Sequence, residues 1–430
     1  MTRFGVGRWL VALVGVALAA APAASQQVVD LPGEDKVLPA ALPEVFRVGS
    51  MDGDEWETFG ENVSVAFDAR GQLYIFDRQS SRVVVTDATG AFVREVGKAG
   101  EGPGELRMPV GFTVLRDGSV VIADVGHRAY QVFGPDGAFK RMVSFAGDGS
   151  VIRLGQLSPD PRGNAIFSGG GRNMVVSMSA GPGGAPEMPR GRPIERVSLE
   201  GSQAKPQTVV SAWEPPPAEG PAPTVQGGGV RFSMSMAGPR TFEPALFVGP
   251  LADGGLAYAD STGYAVKVAG ANGTLERVLR RPFRPRPVTP AMQEAEKKRQ
   301  LDELAAGGGP RVQMRMVTDG GQVVSPNADA IRKMQEDRVA QMQFYPELPV
   351  LMNMATGWSG KIWVVRRGDQ PTEEGPIDVL TPAGQYVGTF AKGSLELPSA
   401  FGPEGMVAFV ERDEFDVPTV VVRRLPAVLR

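Results

Sequence analysis

The sequence predicts an all-β protein, a six-bladed β-propeller with four-stranded antiparallel blades. An N-terminal strand closes the last blade, and a helical insertion lies between the fourth and fifth blades. Three observations support this prediction: many turn residues beside a full apolar complement, a glycine spacing that recurs along the chain, and a strand-like N-terminal segment that supplies what the last repeat lacks.

The composition indicates short strands and excludes several kinds of site. Among 430 residues there are 55 glycines and 37 prolines, with 42% hydrophobic and 22% charged residues, which is typical of many strands joined by tight turns. The chain has no cysteine and one histidine, His127, so disulfides, iron–sulfur clusters and nearly all zinc sites are excluded. A net charge of −3 argues against a partner that is a nucleic acid.

The N-terminal residues have the features of a secretory signal peptide. Arg3 and Arg8 precede an apolar run over 9–21, which small residues follow up to Ser25. A membrane anchor is the alternative, but this run is shorter than the about 20 residues that span a bilayer. We expect a signal peptide over 1–25, cleaved near Ser25, then an N-terminal linker over 26–41 and the propeller over 42–430. The mature chain should be periplasmic or secreted, monomeric and without a transmembrane segment.

An internal repeat carries the fold prediction. Residues 63–97 and 110–145 share one plan of strands separated by glycine turns, and the two turn glycines stand 19 residues apart in both copies and in a later one. These pairs are Gly71 and Gly90, Gly118 and Gly137, and Gly254 and Gly273. The first turn glycines of the six units are Gly71, Gly118, Gly163, Gly254, Gly360 and Gly405. Six units of about 45 residues favour a propeller over a β-sandwich.

The last unit provides three strands before the chain ends. Residues 44–49, EVFRVG, resemble the outer-strand segments AFVREVG and AFKRMVSF of the first two units. We expect this N-terminal strand to pair with the last blade, because a closed ring leaves no exposed blade edge at the junction.

Residues 63–145 resemble the NHL-type repeats of six-bladed propellers. The resembling parts are a second strand that ends in Asp, a third strand rich in Val, and the linker GEGPGEL over 100–106. Of the family's Asp-x-x-Asn-x-Arg element, Asp77 and Arg82 are kept and Ser80 replaces Asn. In the second repeat His127 takes the Asn place and Ala129 the Arg place. The resemblance implies the fold and says little of the ligand, since propellers have many unrelated functions.

The two faces of the predicted disc differ. Turns after first and third strands are tight and end in glycine, and we call their side the hairpin face. Turns after second and fourth strands form the opposite side, the loop face, which receives every long segment. Flexible Gly- and Pro-rich insertions are expected at 169–193 and 207–242. Loops on one face of a rigid scaffold are where binding usually occurs.

The insertion at 284–347 is predicted to be helical. Thr289-Pro290 and Ser325-Pro326 are good starts for two helices, because a capping hydroxyl and a proline at the first helical position favour initiation. The helical pair could be a lid over the propeller, a surface for a partner, or a solvated hairpin without a further role.

Five basic residues on the loop face are the candidate ligand-binding residues. The planar guanidinium of an arginine there would suit a carboxylate or phosphate. The competing explanation is that these side chains stabilise turns and form ordinary ion pairs. They are Arg82, His127, Arg128, Arg366 and Arg367. No residue is assigned a catalytic role.

A metal site is the alternative. Gluconolactonase- and paraoxonase-like propellers hold Ca²⁺ at the channel mouth with Glu, Asn and Asp, and Glu61, Asn62, Glu243 and Asn353 resemble that composition. The leading hypothesis is a non-enzymatic extracytoplasmic propeller, without a cofactor, that binds a protein, peptide or glycan on its loop face. The alternatives are a Ca²⁺-dependent lactonase- or esterase-like hydrolase in the central channel, and a structural or assembly protein of the cell envelope.

Overall fold

A computed structural model describes most of the chain. The described residues are 26–50, 53–145, 151–163, 165–170, 174–177, 191–216, 240–306, 316–317, 323–324, 328–413 and 416–430. The expected signal peptide over 1–25 lies outside them. Within the described residues, six four-stranded antiparallel sheets, one of them extended by a parallel edge strand, form the blades of a propeller, which confirms the predicted fold.

The first three blades follow one another along the chain. Blade 1 comprises Val63–Phe67, Leu73–Asp77, Arg82–Thr86 and Phe92–Val96. Blade 2 comprises Pro109–Val114, Val120–Asp124, Ala129–Phe133 and Phe139–Ser144. Blade 3 comprises Leu157–Pro159, Ala165–Ser168, Arg192–Ser198 and Lys205–Ala212.

The last three blades complete the ring, and two of them include N-terminal strands. Blade 4 comprises Phe247–Pro250, Leu256–Ala259, Ala265–Ala269, Leu275–Arg280 and Gln27–Asp30. Blade 5 comprises Leu351–Thr356, Ile362–Arg367, Glu374–Leu380 and Tyr386–Phe390. Blade 6 comprises Ala400–Phe401, Met406–Arg412, Pro418–Arg424 and Glu44–Val48. From blade 6 through blades 1 to 5, first strands of successive blades contact one another and so line a central channel.

The hydrophobic core lies between the blades. Second and third strands are apolar on both faces, since each is covered by two neighbouring blades; Leu73–Asp77 and Val120–Asp124 are buried at every position. The buried apolar side chains of the described residues form six clusters, one at each junction of adjacent blades. The propeller is therefore stabilised by blade-on-blade packing around the whole ring.

The predicted closure of the ring is confirmed. Glu44–Val48 pairs antiparallel with Pro418–Arg424 as the outermost strand of blade 6, with Val48 opposite Val420. Phe46 and Val48 pack into the cluster between blades 6 and 1. The first and last described segments of the chain thus share one sheet.

The expectation of a linker over 26–41 is corrected by the structure. Gln27–Asp30 pairs in parallel with Leu275–Arg280, so it is a fifth strand at the edge of blade 4. Val37 then forms a bridge to Thr389 in the outermost strand of blade 5. We call residues 27–48 the N-terminal strap, because they follow the outer edges of blades 4, 5 and 6 in succession. The apolar residues Leu31 and Leu38, which pack into blade cores, explain why it docks.

The hairpin face has a uniform construction. The repeat has eleven turn glycines, the nine named above together with Gly201 and Gly384. Each has a φ between +77° and +94°, a backbone conformation that is unfavourable for residues with a Cβ. Gly118 shows a second constraint, because a Cβ there would lie 2.8 Å from the hydroxyl of the buried Tyr74. The periodic glycines are therefore required by backbone geometry.

The insertions on the loop face differ in part from expectation. Lys205–Ala212 is the outermost strand of blade 3, so the insertion expected at 207–242 begins after this strand, and its residues 217–239 lie outside the described part. Of the insertion expected at 169–193, Met174–Ser177 pairs with Val151–Leu154, and 178–190 lie outside the described part.

The insertion between blades 4 and 5 contains two helices, α1 over Pro290–Ala305 and α2 over Ala328–Ala340. The Thr289 hydroxyl accepts a hydrogen bond from the Met292 amide, as a helix cap does. Arg286–Pro287 pairs with Glu347–Leu348 and brings the two ends of the insertion together. Within the described residues, no helix is long and apolar enough to cross a bilayer.

Short elements complete the description. Three single turns of 3₁₀ helix are Glu55–Glu57, Pro403–Gly405 and Ala427–Leu429. Within the helical insertion, Met316–Val317 pairs with Val323–Val324.

Candidate functional site

Buried aspartates at the ends of second strands hold the loop face together. Asp77, Asp124 and Asp260 are fully buried. Asp124 accepts hydrogen bonds from the amides of Arg107 and Met108, both at 2.9 Å, and so fixes the segment that enters blade 2. Asp77 accepts from the amide of Gly60 at 3.2 Å in the same way, and Asp260 from the amide of Trp213 at 2.9 Å. These carboxylates support loops and are not available to a ligand.

His127 belongs to the same support. Its Nδ1 lies 2.8 Å from Asp124 Oδ2 and its Nε2 lies 3.1 Å from the carbonyl oxygen of Glu101. Both neighbours are acceptors, so the imidazolium, which donates from both nitrogens, satisfies them best. Burial disfavours that charge, but the two hydrogen bonds outweigh it and raise the pKa of His127. The structure gives this side chain partners within the chain.

Arg82 also binds its own chain. Its guanidinium pairs with Glu95 and donates to the carbonyl oxygen of Thr58 at 2.8 Å, which ties blade 1 to the segment that precedes it. Arg128 is exposed and has a φ of +54°, and its carbonyl oxygen accepts from the amide of Phe145 at 3.0 Å.

Arg366 is 8% exposed and forms ion pairs with Asp35 of the N-terminal strap and with Asp378. Its neighbour Arg367 donates to the carbonyl oxygens of Pro349, at 2.7 Å, and of Pro371. Burial, and then the like charge of Arg286, lower the pKa of Arg367 to about 10. Both side chains therefore serve the joint between blade 5, the strap and the helical insertion.

The four residues of the calcium alternative are not brought to one place. Glu61 and Asn62 line a pocket at the channel mouth. Glu243 instead forms an ion pair with Arg240 at 3.0 Å, and the Asn353 side chain accepts from the Met354 amide at 2.8 Å. Within the described residues, no three or more His, Asp or Glu side chains are grouped as metal ligands would be.

The pocket that contains Glu61 and Asn62 is the candidate site, and we call it the channel-mouth pocket. It has a volume of about 260 Å³ and lies at the loop-face end of the channel, between blades 6, 1 and 2. Blade 1 contributes Ser64 and Arg78, and blade 6 contributes Arg412. First strands begin and second strands end at this face, so the fold converges these side chains from three blades.

The polar groups of the pocket differ in whether they form hydrogen bonds or ion pairs within the chain. Arg412 donates to Asp416 Oδ1 at 3.0 Å and to the carbonyl oxygen of Glu61, which holds its guanidinium in place between blades 6 and 1. In the described part of the chain, the Arg78 guanidinium and the Glu61 carboxylate have neither a hydrogen bond nor an ion pair, and both residues are exposed. The pocket thus offers a free cation and a free anion to an incoming molecule.

The apolar part of the pocket is formed by Phe112, Phe76 and Val410. The rings of Phe76 and Phe112 stack with their centroids 5.3 Å apart, across the junction of blades 1 and 2. Another depression, of about 170 Å³, lies near the hairpin face between blades 2 and 3 and is lined by Leu115, Lys140 and Leu199 among others. The channel-mouth pocket is the larger of the two and faces the loop side.

The six blades and their interblade cores define the class of protein, a six-bladed β-propeller. A family model described as a 6-bladed beta-propeller matches residues 60–150, which span blades 1 and 2. No curated protein matches this chain in sequence.

The solved structures that this chain matches are distant from it in sequence. A Bacteroides fragilis protein whose export has been suggested is 9% identical, with 93% of this chain and 100% of that chain covered and a TM-score of 0.47. A member of the DUF4221 family from Bacteroides vulgatus is 12% identical, with 89% and 98% covered and a TM-score of 0.45. Virginiamycin B lyase from Staphylococcus aureus is 12% identical, with 89% and 99% covered and a TM-score of 0.37. Such distant likenesses say nothing of what this chain binds.

Sequence reasoning missed Arg78 and the strap residue Asp35. Arg78 follows Asp77 directly at the end of a second strand, and this position on the loop face was the signal that could have found it. Asp35 had no such signal, because its importance comes from contacts with Arg366 and Arg281, which are distant in sequence.

Proposed function

We propose that this chain is an exported, non-enzymatic propeller that binds a protein, peptide or glycan ligand across its loop face, with the channel-mouth pocket as the central contact. The observation that supports the proposal most is that some polar side chains of the loop face have partners within the chain and others do not. The side chains of Asp124, His127 and Arg366 have partners within the chain, whereas the charged groups of Arg78 and Glu61 line the pocket without a hydrogen bond or ion pair in the described residues.

The calcium-dependent hydrolase is not proposed, because Glu243 and Asn353 are not among the residues that line the pocket and both side chains have partners of their own. Export is part of the proposal, and it is supported by the charged, then apolar, then small-residue order of the first 25 residues.

The absence of cysteine allows a direct test, since one introduced thiol is the only attachment point in the chain. Ser64→Cys places a photo-crosslinker in the channel-mouth pocket, and Ala88→Cys places the same reagent on an exposed hairpin-face turn. We expect crosslinked species from cells that carry the Ser64→Cys protein, and we expect excess unlabelled wild-type protein to compete for them. Crosslinked species that are the same for both positions would contradict the proposal.

A further inference from the structure

We propose that the channel-mouth pocket receives the C-terminal carboxylate of a peptide, with Arg78 as the residue that binds it. This inference rests on the proposed function and names the ligand class for the same site. A guanidinium presents parallel N–H donors that match the two oxygens of a carboxylate, and such charge-assisted pairs are among the stronger hydrogen bonds in proteins.

The guanidinium donors of the pocket suit an anionic group. Two arginines, Arg78 and Arg412, and one carboxylate, that of Glu61, belong to its lining. Arg412 is held by Asp416 and by the carbonyl oxygen of Glu61, so its orientation is fixed before a ligand arrives. Arg78 has no such partner in the described chain, so it is the cation with donors to spare.

The pocket also presents groups that recognise a main chain. The pairing of the first two strands of blade 2 shifts between Pro109 and Gly111, so Val110 lies outside the regular ladder. Val110 and Gly111 both line the pocket, so this irregular stretch of blade 2 lies where the main chain of a bound peptide would enter. The amide of Asn62 and the hydroxyl of Ser64 add side-chain partners for peptide groups.

The small apolar part of the pocket offers no free aromatic face to a sugar ring, which favours a peptide over a glycan. A sugar ring binds well when it stacks on a free aromatic face, but Phe76 and Phe112 stack on each other. The hydrocarbon side chain of a terminal residue can instead contact the partly exposed Phe112 and Val410. The volume of about 260 Å³ suits one or two residues.

The test uses two pools of N-acetylated tripeptides that end in apolar residues, one with free C-terminal carboxylates and one amidated. Equilibrium dialysis against the mature protein, with mass spectrometry of the bound peptides, measures the retention of each pool. We expect acids to be retained about tenfold more tightly than their amides, and Arg78→Gln to abolish that difference. Arg78→Lys keeps the positive charge but lacks the paired N–H donors of a guanidinium, so it should retain only part of the difference in binding between acids and amides.

Arg107→Gln is the matched control, because Arg107 is an arginine on the same face, its side chain is 55% exposed, and it does not line the pocket. It should change retention by less than about twofold. Thermal melting of each variant checks that it remains folded, which the exposure of Arg78 leads us to expect.

Several results would overturn the inference. These are equal retention of acids and amides, retention that Arg78→Gln does not change, and no retention of either pool at millimolar concentration. Retention of a neutral oligosaccharide that competes with the Ser64 crosslink would also overturn it, but would leave ligand binding at the pocket intact. The proposed function fails separately, when crosslinking from Ser64 and Ala88 gives the same species.

Discussion

The hairpin face and the loop face both connect the strands of the blades, but the connections are stabilised by different interactions. On the hairpin face eleven glycines with positive φ make tight turns by local backbone geometry, and contacts such as that of the Tyr74 hydroxyl with the Gly118 carbonyl oxygen join turns of neighbouring blades. On the loop face, buried carboxylates such as Asp77 and Asp124 accept hydrogen bonds from amides 16 to 17 residues earlier in the chain. The turns of the hairpin face are thus set first by local backbone geometry, whereas the loops of the other face are set by side chains that reach between segments.

This difference indicates where variation is tolerated and where function can reside. Each of these tight turns needs a glycine at its last position, so the hairpin face repeats the same kind of turn in every blade. The loop face can accept new segments as long as its buried carboxylates keep their partners. It therefore holds the helical insertion and the channel-mouth pocket, and we expect loss of a buried contact between distant segments to destabilise the protein more than strain in a single turn.

The largest effect is expected from the ion-pair network that holds the N-terminal strap. Arg281 and Asp378 are both completely buried, 2.8 Å apart, and Arg281 also donates to the carbonyl oxygens of Pro32 and Glu34 and to Asp35. Arg281→Met leaves the Asp378 charge buried without its main partner. We expect a loss of about 3–5 kcal/mol in the free energy of unfolding, measured by denaturant titration.

The adjacent residue supplies the control for this variant. Arg280 pairs with Asp30 at 2.9 Å, but their side chains are 51% and 74% exposed. Arg280→Met should therefore cost less than about 1 kcal/mol. Equal losses for the two variants would show that the strap does not depend on the buried network.

A smaller effect is expected from single turns on the hairpin face. Gly163 and Gly118 have nearly the same φ, +94° and +93°, but a Cβ at Gly163 would meet nothing within 4 Å. A Cβ at Gly118 would meet the mobile end of Arg70 and the buried side chains of Tyr74 and Asp68. Gly163→Ala should cost about 1–2 kcal/mol from backbone strain alone. Gly118→Ala should cost about 1 kcal/mol more, because Tyr74 is buried and cannot move aside freely.

Thermal or denaturant unfolding of these two variants measures both quantities. If Gly118→Ala and Gly163→Ala destabilised the protein equally, the packing of Tyr74 against the turn would not contribute. If neither variant changed stability, the periodic glycines would not be required by φ, and the physical basis of the repeat would be wrong.

The fold could be predicted from the sequence because its determinants are local and periodic. Gly71 and Gly90 indicate turns by their own conformation. The last unit has only three strands in sequence, which indicates that a fourth strand must come from elsewhere in the chain. The fourth strand of blade 3, Lys205–Ala212, was assigned to an insertion because no glycine marks its far end. The strand Gln27–Asp30 was assigned to a linker because it pairs with Leu275–Arg280, far along the chain.

The candidate site could be predicted only in part. Glu61 and Asn62 were placed at the channel mouth from their position before a first strand, and they do line the pocket. Which basic side chains remain free could not be predicted, because this depends on neighbours from other segments. Arg366 is engaged by Asp35, which lies 331 residues earlier in the chain, while Arg78 meets no such partner among the described residues.

The smallest effect is expected from the loop-face contact that His127, the single histidine of the chain, makes with Asp124. His127 is faced by Asp124, the carbonyl oxygen of Glu101 and Gln131, and by the repelling charge of Arg107. Its pKa is raised by folding, so its contribution is fully present below the unfolded value of about 6.5 and is lost as pH rises through the folded pKa.

His127→Asn should therefore lower stability by about 1 kcal/mol near pH 5.5 and by much less near pH 8.5, because Asn cannot become charged. Thermal melts across this range measure the difference, and NMR of the single histidine gives its folded pKa without ambiguity of assignment. A difference that is constant with pH would mean that Asp124 holds the neutral ring. The loop that carries Glu101 would then be fixed by the Asp124 carboxylate and the amides of Arg107 and Met108 alone, as the corresponding loop of blade 1 is by Asp77.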